Sequence, residues 1–375
     1  MSQSAPQLWL LGVSHHETSL AERERLAMAP ESLTPEVQAR LKACLGAEEL
    51  FTLATCNRLE VYAVGNPPNG TLDVDSWISQ SLPPEIDRSL FHQHAYLKCG
   101  EAAANHLFEV ASGLDSQMLG ETEITGQVKG AYQRASDHGL VGKSLHRLLQ
   151  KALQGAKWAR SETGIGRGQV SLGNIAAELA ERVCGNLADV SILLIGTGEV
   201  GKNITQALLS RGARRLTIAG RNQDRAQALA DEFAGATILP FSHLQDSLPM
   251  VDVIISCTSA PGHILTARQI RASRKGRHEA PLFMIDLAVP RDIDAAVADW
   301  ETFYLYNMDD LAAIANRNLA GRQEEVTRAR AGLQERAARA WSSADPAKAS
   351  RSGSRNSAPS QASAPGSATA HPFTS

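Results

Sequence analysis

Cys56 and a glycine-rich loop far downstream are the parts of this chain whose residue types could do chemistry together. Cys56 stands in Ala54-Thr55-Cys56-Asn57-Arg58-Leu59-Glu60, a polar turn between two apolar runs. Downstream, Ile192-Leu193-Leu194-Ile195 leads straight into Gly196-Thr197-Gly198-Glu199-Val200-Gly201. A strand that feeds Gly-x-Gly-x-x-Gly and then a helix has the grammar of a dinucleotide site. The first glycine permits the tight turn, the second lets the backbone approach a pyrophosphate, and the third packs helix on strand. The phosphates then lie at the positive end of the helix. A nucleophilic thiol and a hydride-donor site on one chain suit reduction of an acyl group through a thioester.

Most free cysteines are buried small hydrophobes, and that reading competes for Cys56. Its polar neighbours Thr55, Asn57 and Arg58 favour a catalytic role, because a nearby guanidinium stabilises a thiolate and lowers its pKa. Cys44 and Cys184 lie in apolar helical surroundings and Cys257 ends a buried strand, so these three read as structural. After the glycine loop, the next strand ends at Ala219-Gly220-Arg221-Asn222. An NAD site carries an acid there for the ribose 2′-hydroxyl, whereas Arg221 offers a guanidinium to a 2′-phosphate. NADPH is therefore the expected cofactor, with a solvated arginine as the alternative. Between these sites, the stretch from His106 through Ser116 to Glu121 and Glu123 mixes polar and small residues as a pocket wall would. His106 is equally readable as a core-edge histidine, and the two glutamates as favourable charges at a helix N-terminus. Lys143, Arg147, Lys151, Lys157 and Arg160 put a run of cations on one helix, either a solvated face or a phosphate contact.

The elements that must position these residues are legible from periodicity. Leu8 to Val13, Leu50 to Ala54 and Leu59 to Val64 read as strands, the last two flanking the cysteine turn. Ser19-Leu20-Ala21-Glu22 has capping-box spacing. Asn66-Pro67-Pro68-Asn69-Gly70 reads as a loop. Ile124 to His138 and Leu145 to Arg160 have helical spacing, with Gly139 placed to end the first. A joint at Gly164-Ile165-Gly166-Arg167-Gly168 precedes an α/β alternation with strands at Val190 to Ile195, Leu216 to Ala219, Val251 to Ser256 and Leu282 to Asp286. That alternation implies a parallel, doubly wound sheet. Asn307 is placed to cap a helix running to about Trp341, on which Leu319, Val326, Leu333 and Ala340 repeat every seven residues as a thin seam.

A length of 375 residues, 43% hydrophobic, favours two or three domains. A net charge of −3 gives no global argument for a nucleic-acid coat or a membrane-surface binder, although a local patch suffices for a tRNA. Five widely spaced cysteines with no Cys-x-x-Cys pair argue against a disulfide framework and a metal site, and fit reduced thiols. No stretch approaches the ~18 apolar residues of a membrane span, and the N-terminus lacks a secretory pattern. A soluble cytoplasmic protein is expected.

Taken in order, Thr55-Cys56-Asn57-Arg58 with Glu60 and Tyr62, Gly113-Leu114-Asp115-Ser116 through Leu119-Gly120-Glu121, and Gly126-Gln127-Val128-Lys129 resemble the glutamyl-tRNA reductase family. The glycine loop, Ile285-Asp286-Leu287-Ala288-Val289-Pro290-Arg291-Asp292 and Tyr304-Leu305-Tyr306-Asn307 extend that resemblance to about Trp341. It implies an α/β chain with a mixed α+β catalytic domain (1–163), a Rossmann-like doubly wound NADPH domain (164–306) and a long spinal helix (307–341). It implies NADPH-dependent reduction of glutamyl-tRNA(Glu) to glutamate-1-semialdehyde, the first step of five-carbon-route tetrapyrrole biosynthesis. Cys56 would be the nucleophile and His106 a second catalytic residue. Thr55, Asn57, Arg58, Ser116, Glu121, Thr122, Glu123 and Gln127 would hold the glutamyl end, with Arg58 on its carboxylate. Gly196, Thr197, Gly198, Glu199, Val200, Gly201 and Arg221 would hold the cofactor. A glutamate-1-semialdehyde aminomutase is the further partner implied.

Two departures from the family pattern stand out. Its usual Glu-Pro-Gln is Glu121-Thr122-Glu123 here, which puts a carboxylate in place of an amide. Where the family has a helical dimerisation domain, 342–375 is a Ser/Ala/Pro/Gly-rich segment expected to be disordered. A monomer or weak dimer is expected in place of the family's homodimer. The competing functions are a thioester-forming NADP-dependent dehydrogenase of another acyl substrate and a non-catalytic tRNA- or reductase-binding regulator.

Overall fold

The computed structural model describes residues 6–28, 30–66, 86–166, 171–274, 280–319 and 323–345. Its apolar runs build two separate sheets. The first is antiparallel, in the order β2-β3-β1-β4, from β1 (Gln7–Ser14), β2 (Glu49–Ala54), β3 (Arg58–Gly65) and β4 (Tyr96–Cys99). The helices Glu101–Ser112, Lys143–Glu162 and Gln323–Ala344 pack on one another beside it. Trp9, Phe51, Tyr62, Phe108, Leu145 and Leu333 share this core.

The second sheet is wholly parallel, in the order β10-β9-β8-β5-β6-β7. Its strands are β5 (Ser191–Ile195), β6 (Arg215–Gly220), β7 (Ala236–Pro240), β8 (Val253–Ser256), β9 (Leu282–Asp286) and β10 (Phe303–Asn307). β5 and β8 are near-continuous buried aliphatics because the sheet has an apolar cluster on each face. The strand order reverses between β5 and β8, and ligands of open α/β sheets bind at the carboxyl ends of the strands at such a point.

Local expectations hold at the residue level. Ser19 and Glu22 form the capping box of the Leu20–Leu26 helix. The helices Glu123–Asp137 and Lys143–Glu162 end within two residues of their predicted limits, and Gly139 follows the first at φ +63. Asn307 Oδ1 accepts from the backbone N–H of Asp309 at 2.8 Å and of Asp310 at 3.2 Å, capping Met308–Leu319. β8 starts two residues late because Val251 N–H is turned back to Leu248 in a 3₁₀ turn. β4, β7 and β10 carry no clear sequence signal; each is short and at a sheet edge, where the apolar alternation is weakest.

The C-terminal region buries most of the thin seam inside the chain. The described part is two helices, Met308–Leu319 and Gln323–Ala344, and the second runs three residues beyond Trp341. Val326, Leu333 and Ala340 are buried inside the chain, against the first core. Three members of the seven-residue repeat that reads as a surface for a second chain are thus covered within this one. Pro67–Gly70 of the predicted loop, Arg167 and Gly168 of the predicted joint, and residues 346–375 lie outside the described residues.

Candidate active site

Cys56 is held at the tip of the β2–β3 hairpin, whose last paired residues are Ala54 and Leu59. Thr55 makes the turn: its hydroxyl accepts from the N–H of Asn57 at 3.1 Å and of Arg58 at 3.2 Å, and its own N–H donates to Arg58 O at 2.9 Å. A threonine hydroxyl satisfying two turn amides explains a polar residue between two apolar strands. Cys56 as a residue is half-buried.

Behind the turn lies a buried network of charges. Arg58 Nη1 is 2.7 Å from Glu60 Oε1 and 2.9 Å from Asp115 Oδ2, and its Nη2 donates to Asp115 O. Glu60, fully buried, also accepts from Tyr62 OH at 2.8 Å and Tyr96 OH at 2.6 Å, and lies 2.8 Å from His106 Nε2. Burial alone would raise its pKa, but Arg58 and His106 hold the carboxylate well below its ordinary range. Asp115 is likewise depressed against its burial, by a hydrogen bond from His16 and the charge of Arg58. That bond raises His16, while burial, with the charges of His16 and Arg58, takes His15 down to about 3. Gly12 makes room for the network: a Cβ there would stand 2.8 Å from Glu60 Cγ.

In front of the turn is a cleft of about 1120 Å³. Thr55, Cys56, Asn57, Arg58, Ser116, Glu121, Thr122, Glu123 and Gln127 all line it. His106 does not; it faces Glu60 from behind Arg58. Burial pushes the Cys56 thiol up to about 12, with the charge of Glu121 adding and those of Arg23 and Arg58 opposing. The expectation of a thiol lowered by Arg58 is thus corrected: desolvation outweighs a guanidinium already neutralised by two carboxylates. Glu121 is pushed up to about 7, by burial first, against a hydrogen bond from Ser116. Glu123 is also raised by burial, which outweighs hydrogen bonds from the backbone of Glu123, Thr122 and Leu172.

The opposite wall belongs to the parallel sheet. Glu199, Val200, Cys257, Thr258, Ser259, Val289 and Pro290 line the same cleft. Gly196, Thr197, Gly198 and Gly201 lie off it, at the end of β5 beside the switch point, and Arg221 lies off it at the end of β6. The glycine loop is tightly packed: a Cβ on Gly201 would stand 2.3 Å from Gly196 O, and one on Gly196 (φ +127) 2.8 Å from Cys257 Sγ. Gly198 by contrast meets nothing within 4 Å, and it caps the Glu199–Ser210 helix with no side-chain bond. That leaves a small open cradle at a helix N-terminus, the fit a pyrophosphate requires. Gly220 packs on Thr197, its would-be Cβ 2.7 Å from Thr197 Cγ2, which sets exposed Arg221 beside the loop.

Sequence reasoning missed several residues. Buried Asp292 accepts from Ser256 Oγ at 2.6 Å, Thr258 Oγ1 at 2.6 Å and Thr258 N–H at 2.9 Å, fixing the strand end that lines the cleft. Asp286 accepts from the N–H groups of Ala288 at 3.1 Å and Ile293 at 2.8 Å, and burial pushes it up to about 7. Glu24 makes a bidentate pair with Arg291, both bonds 2.6 Å, and Arg23 pairs with Asp309. Asp286, Arg291 and Asp292 stand inside the motif that runs from Ile285 to Asp292; nothing local marks Arg23 or Glu24. Cys257, read as structural, lies on the cleft wall, and Cys44 is exposed. Among the described residues no group of three His, Cys, Asp or Glu is placed to hold a metal ion, and no helix is long and apolar enough to cross a membrane.

A thiol and the strand ends of a doubly wound sheet facing one cleft define a dinucleotide-fold oxidoreductase. Residues 11–163 match the family model for the N-terminal domain of glutamyl-tRNAGlu reductase, and residues 178–314 that for shikimate/quinate 5-dehydrogenase, an NAD(P)-type domain. The glutamyl-tRNA reductase of Trichlorobacter lovleyi is 38% identical over 331 residues, covering 87% of this chain and 74% of that protein. That of Aquifex aeolicus is 38% identical, covering 86% and 78%. Among solved structures, glutamyl-tRNA reductase from Methanopyrus kandleri is similar at 34% identity and a TM-score of 0.48, covering 89% of this chain and 79% of that one. The chain belongs to the glutamyl-tRNA reductase family.

Proposed function

We propose that this chain reduces the ester of glutamyl-tRNA(Glu) to glutamate-1-semialdehyde with NADPH, the first step of tetrapyrrole biosynthesis, through a thioester on Cys56. The observation that carries this reading is the single cleft on which Cys56 faces the carboxyl ends of the parallel strands. In our division, 1–163 supply the substrate wall, 164–306 the cofactor wall and 307–341 the helical connection, in a cytoplasmic protein.

The thiol must lose its proton before it attacks, and burial opposes that. Glu121, on the same wall and held about 7, takes the proton and returns it to the 3′ oxygen of the departing tRNA. Sulfur then holds the glutamyl carbonyl carbon, the ester C–O bond is broken, and no ATP is consumed because the ester is already activated. NADPH, held at the glycine loop (196–201), would supply hydride to that carbon; Cys56 would then be released as the thiohemiacetal opened to the aldehyde. Thr55, Asn57, Ser116, Thr122 and Gln127 orient the glutamyl group. Arg58 borders the substrate, but two carboxylates already engage it. His106 is a positioning residue acting through Glu60. Glu123, a carboxylate on the cleft wall, takes the substrate's α-ammonium. Arg221 reads the 2′-phosphate that separates NADPH from NADH. The unstable aldehyde would pass to an aminomutase.

The test is NADPH oxidation by the purified chain with glutamyl-tRNA(Glu), the product trapped as an aldehyde adduct. Turnover with glutamyl-tRNA and none with a glutamyl-CoA thioester is the expected result. CoA-dependent turnover alone would replace the substrate.

A further inference from the structure

The Lys143–Glu162 helix buries one face in the first core and turns the other to solvent. Its solvent face carries Lys143, Arg147, Lys151 and Lys157 with His146, Gln150 and Gln154 between them. Its one acid, Glu162, is the last residue. No carboxylate pairs with any of those four cations among the described residues; Arg147 donates to Ser343 O at 3.1 Å and Lys151 to Gln154 Oε1 at 3.1 Å. In a chain of net charge −3, such an uncompensated stripe is a local concentration of charge rather than a reflection of composition.

Two further observations give the stripe a direction and a second rail. At its C-terminal end, Arg160 Nη1 donates to Thr125 Oγ1 at 2.6 Å, two residues beyond Glu123 on the cleft wall. The cations therefore lead away from the cleft, with Lys143 about 21 Å from Lys157 at 1.5 Å per residue. Alongside, the Gln323–Ala344 helix brings Arg336 and Arg339 to a concavity of about 280 Å³ shared with Lys151 and Gln154. Arg336 is stacked 3.7 Å from the centroid of the Trp158 ring, and Arg339 is paired with Glu335.

We propose that this two-helix face is a docking surface for an RNA phosphate backbone, that of the tRNA body whose 3′ end carries the ester in the cleft. The inference rests on the function proposed above. Phosphodiesters suit it because the four cations of the Lys143–Glu162 helix are spaced along it, lack acidic partners among the described residues and alternate with amides that donate to phosphate oxygens. An acidic protein is the competing occupant and is an outcome of the test.

The experiment replaces Lys143, Arg147, Lys151 and Lys157 together by Glu, and separately by Gln, and checks folding by circular dichroism. Exposed sites of this kind change stability little. With glutamyl-tRNA the variants are expected to raise KM at least tenfold and leave kcat within about twofold. Affinity for deacylated tRNA should fall, and the slope of log K against log salt should shrink by roughly 0.7–0.9 for each phosphate that is no longer neutralised. A glutamyl ester of adenosine, which lacks the tRNA body, should give the same KM with wild type and variants. Unchanged KM and salt slope in the Glu variant, with the wild type active, would overturn the surface and leave the function standing. Patch-dependent tRNA binding by a wild type that turns over no glutamyl-tRNA would support the surface and remove the function. Wild-type binding of deacylated tRNA that is insensitive to salt, as for a partner not held by its phosphates, would also overturn it.

Discussion

On the thiol wall, position is held by side chains, some adjacent and some far off in sequence: Arg58 by Glu60 and Asp115, and Glu60 in turn by Tyr62, Tyr96 and His106. On the cofactor wall, the same task falls to backbone. Glycines set the loop, Asp286 clamps the end of β9 through two main-chain N–H groups, and Asp292 clamps that of β8 through one N–H and two hydroxyls. The difference follows from what each wall must do. A pyrophosphate is read by amides and a helix end, which a backbone supplies by itself. A thiol on a hairpin tip has no such scaffold, so its rigidity comes from a network that is stabilising only while complete. Damage to the first wall should therefore cost fold and chemistry together, and damage to the second should separate them.

The largest effect is expected from Glu60→Gln. It leaves the Arg58 charge half-paired in a buried site, and breaking such a pair costs about 3–5 kcal/mol. Thermal unfolding should shift down accordingly, and turnover should fall by roughly 10²-fold as the Cys56 turn loses its register. An Asp292→Asn chain should keep its stability within about 1 kcal/mol, because the amide can keep part of the clamp. Its NADPH affinity should fall about tenfold, or ~1.4 kcal/mol, with acylation of Cys56 unchanged. Equal losses of stability in the two variants would erase the contrast between the walls.

Glu121→Gln probes the same wall through pH. If Glu121 must be ionised to take the thiol proton, the wild-type rate rises with pH through about 7, and the Gln variant loses that limb. Stability runs the other way. The folded chain holds this proton more tightly than the unfolded one, so the Glu121 contribution is full below the ordinary glutamate pKa and is lost as pH rises through about 7. Asp286, also about 7, adds a change of the same sign that the variant leaves in place. A rate profile identical in wild type and Glu121→Gln would assign the base elsewhere. The smallest effect is expected from Arg221→Asp, which is exposed. NADPH binding should weaken about tenfold and NADH binding by less than about twofold. Equal weakening would remove Arg221 from cofactor selection.

The parts of this molecule that are legible in the sequence are those whose cause is local. The Cys56 turn is written in Thr55 and the flanking apolar runs, the dinucleotide loop in its glycines, and two helix starts in Ser19 and Asn307. What escapes the sequence depends on residues distant in the chain. Arg58 meets Asp115, and Glu24 meets Arg291, across separations that no periodicity records. The thiol pKa goes the other way from its sequence expectation for the same reason: a neighbouring arginine is visible in sequence, but the carboxylates that occupy it and the burial around the sulfur are not. The Leu319-Val326-Leu333-Ala340 repeat shows the limit of pattern alone. A stripe specifies that a helix face will be buried, but not whether the partner is another chain or this one.

The central claim, that Cys56 is the nucleophile and acts before the cofactor wall is engaged, is tested most directly by intact-protein and peptide mass spectrometry. The chain is mixed with glutamyl-tRNA in the absence of NADPH and quenched in acid. One glutamyl group is expected on the peptide containing Cys56 in the wild type and in Asp292→Asn, none in Cys56→Ala, and its loss as aldehyde when NADPH is added. A glutamyl group on Cys257, or full turnover by Cys56→Ala, would contradict it.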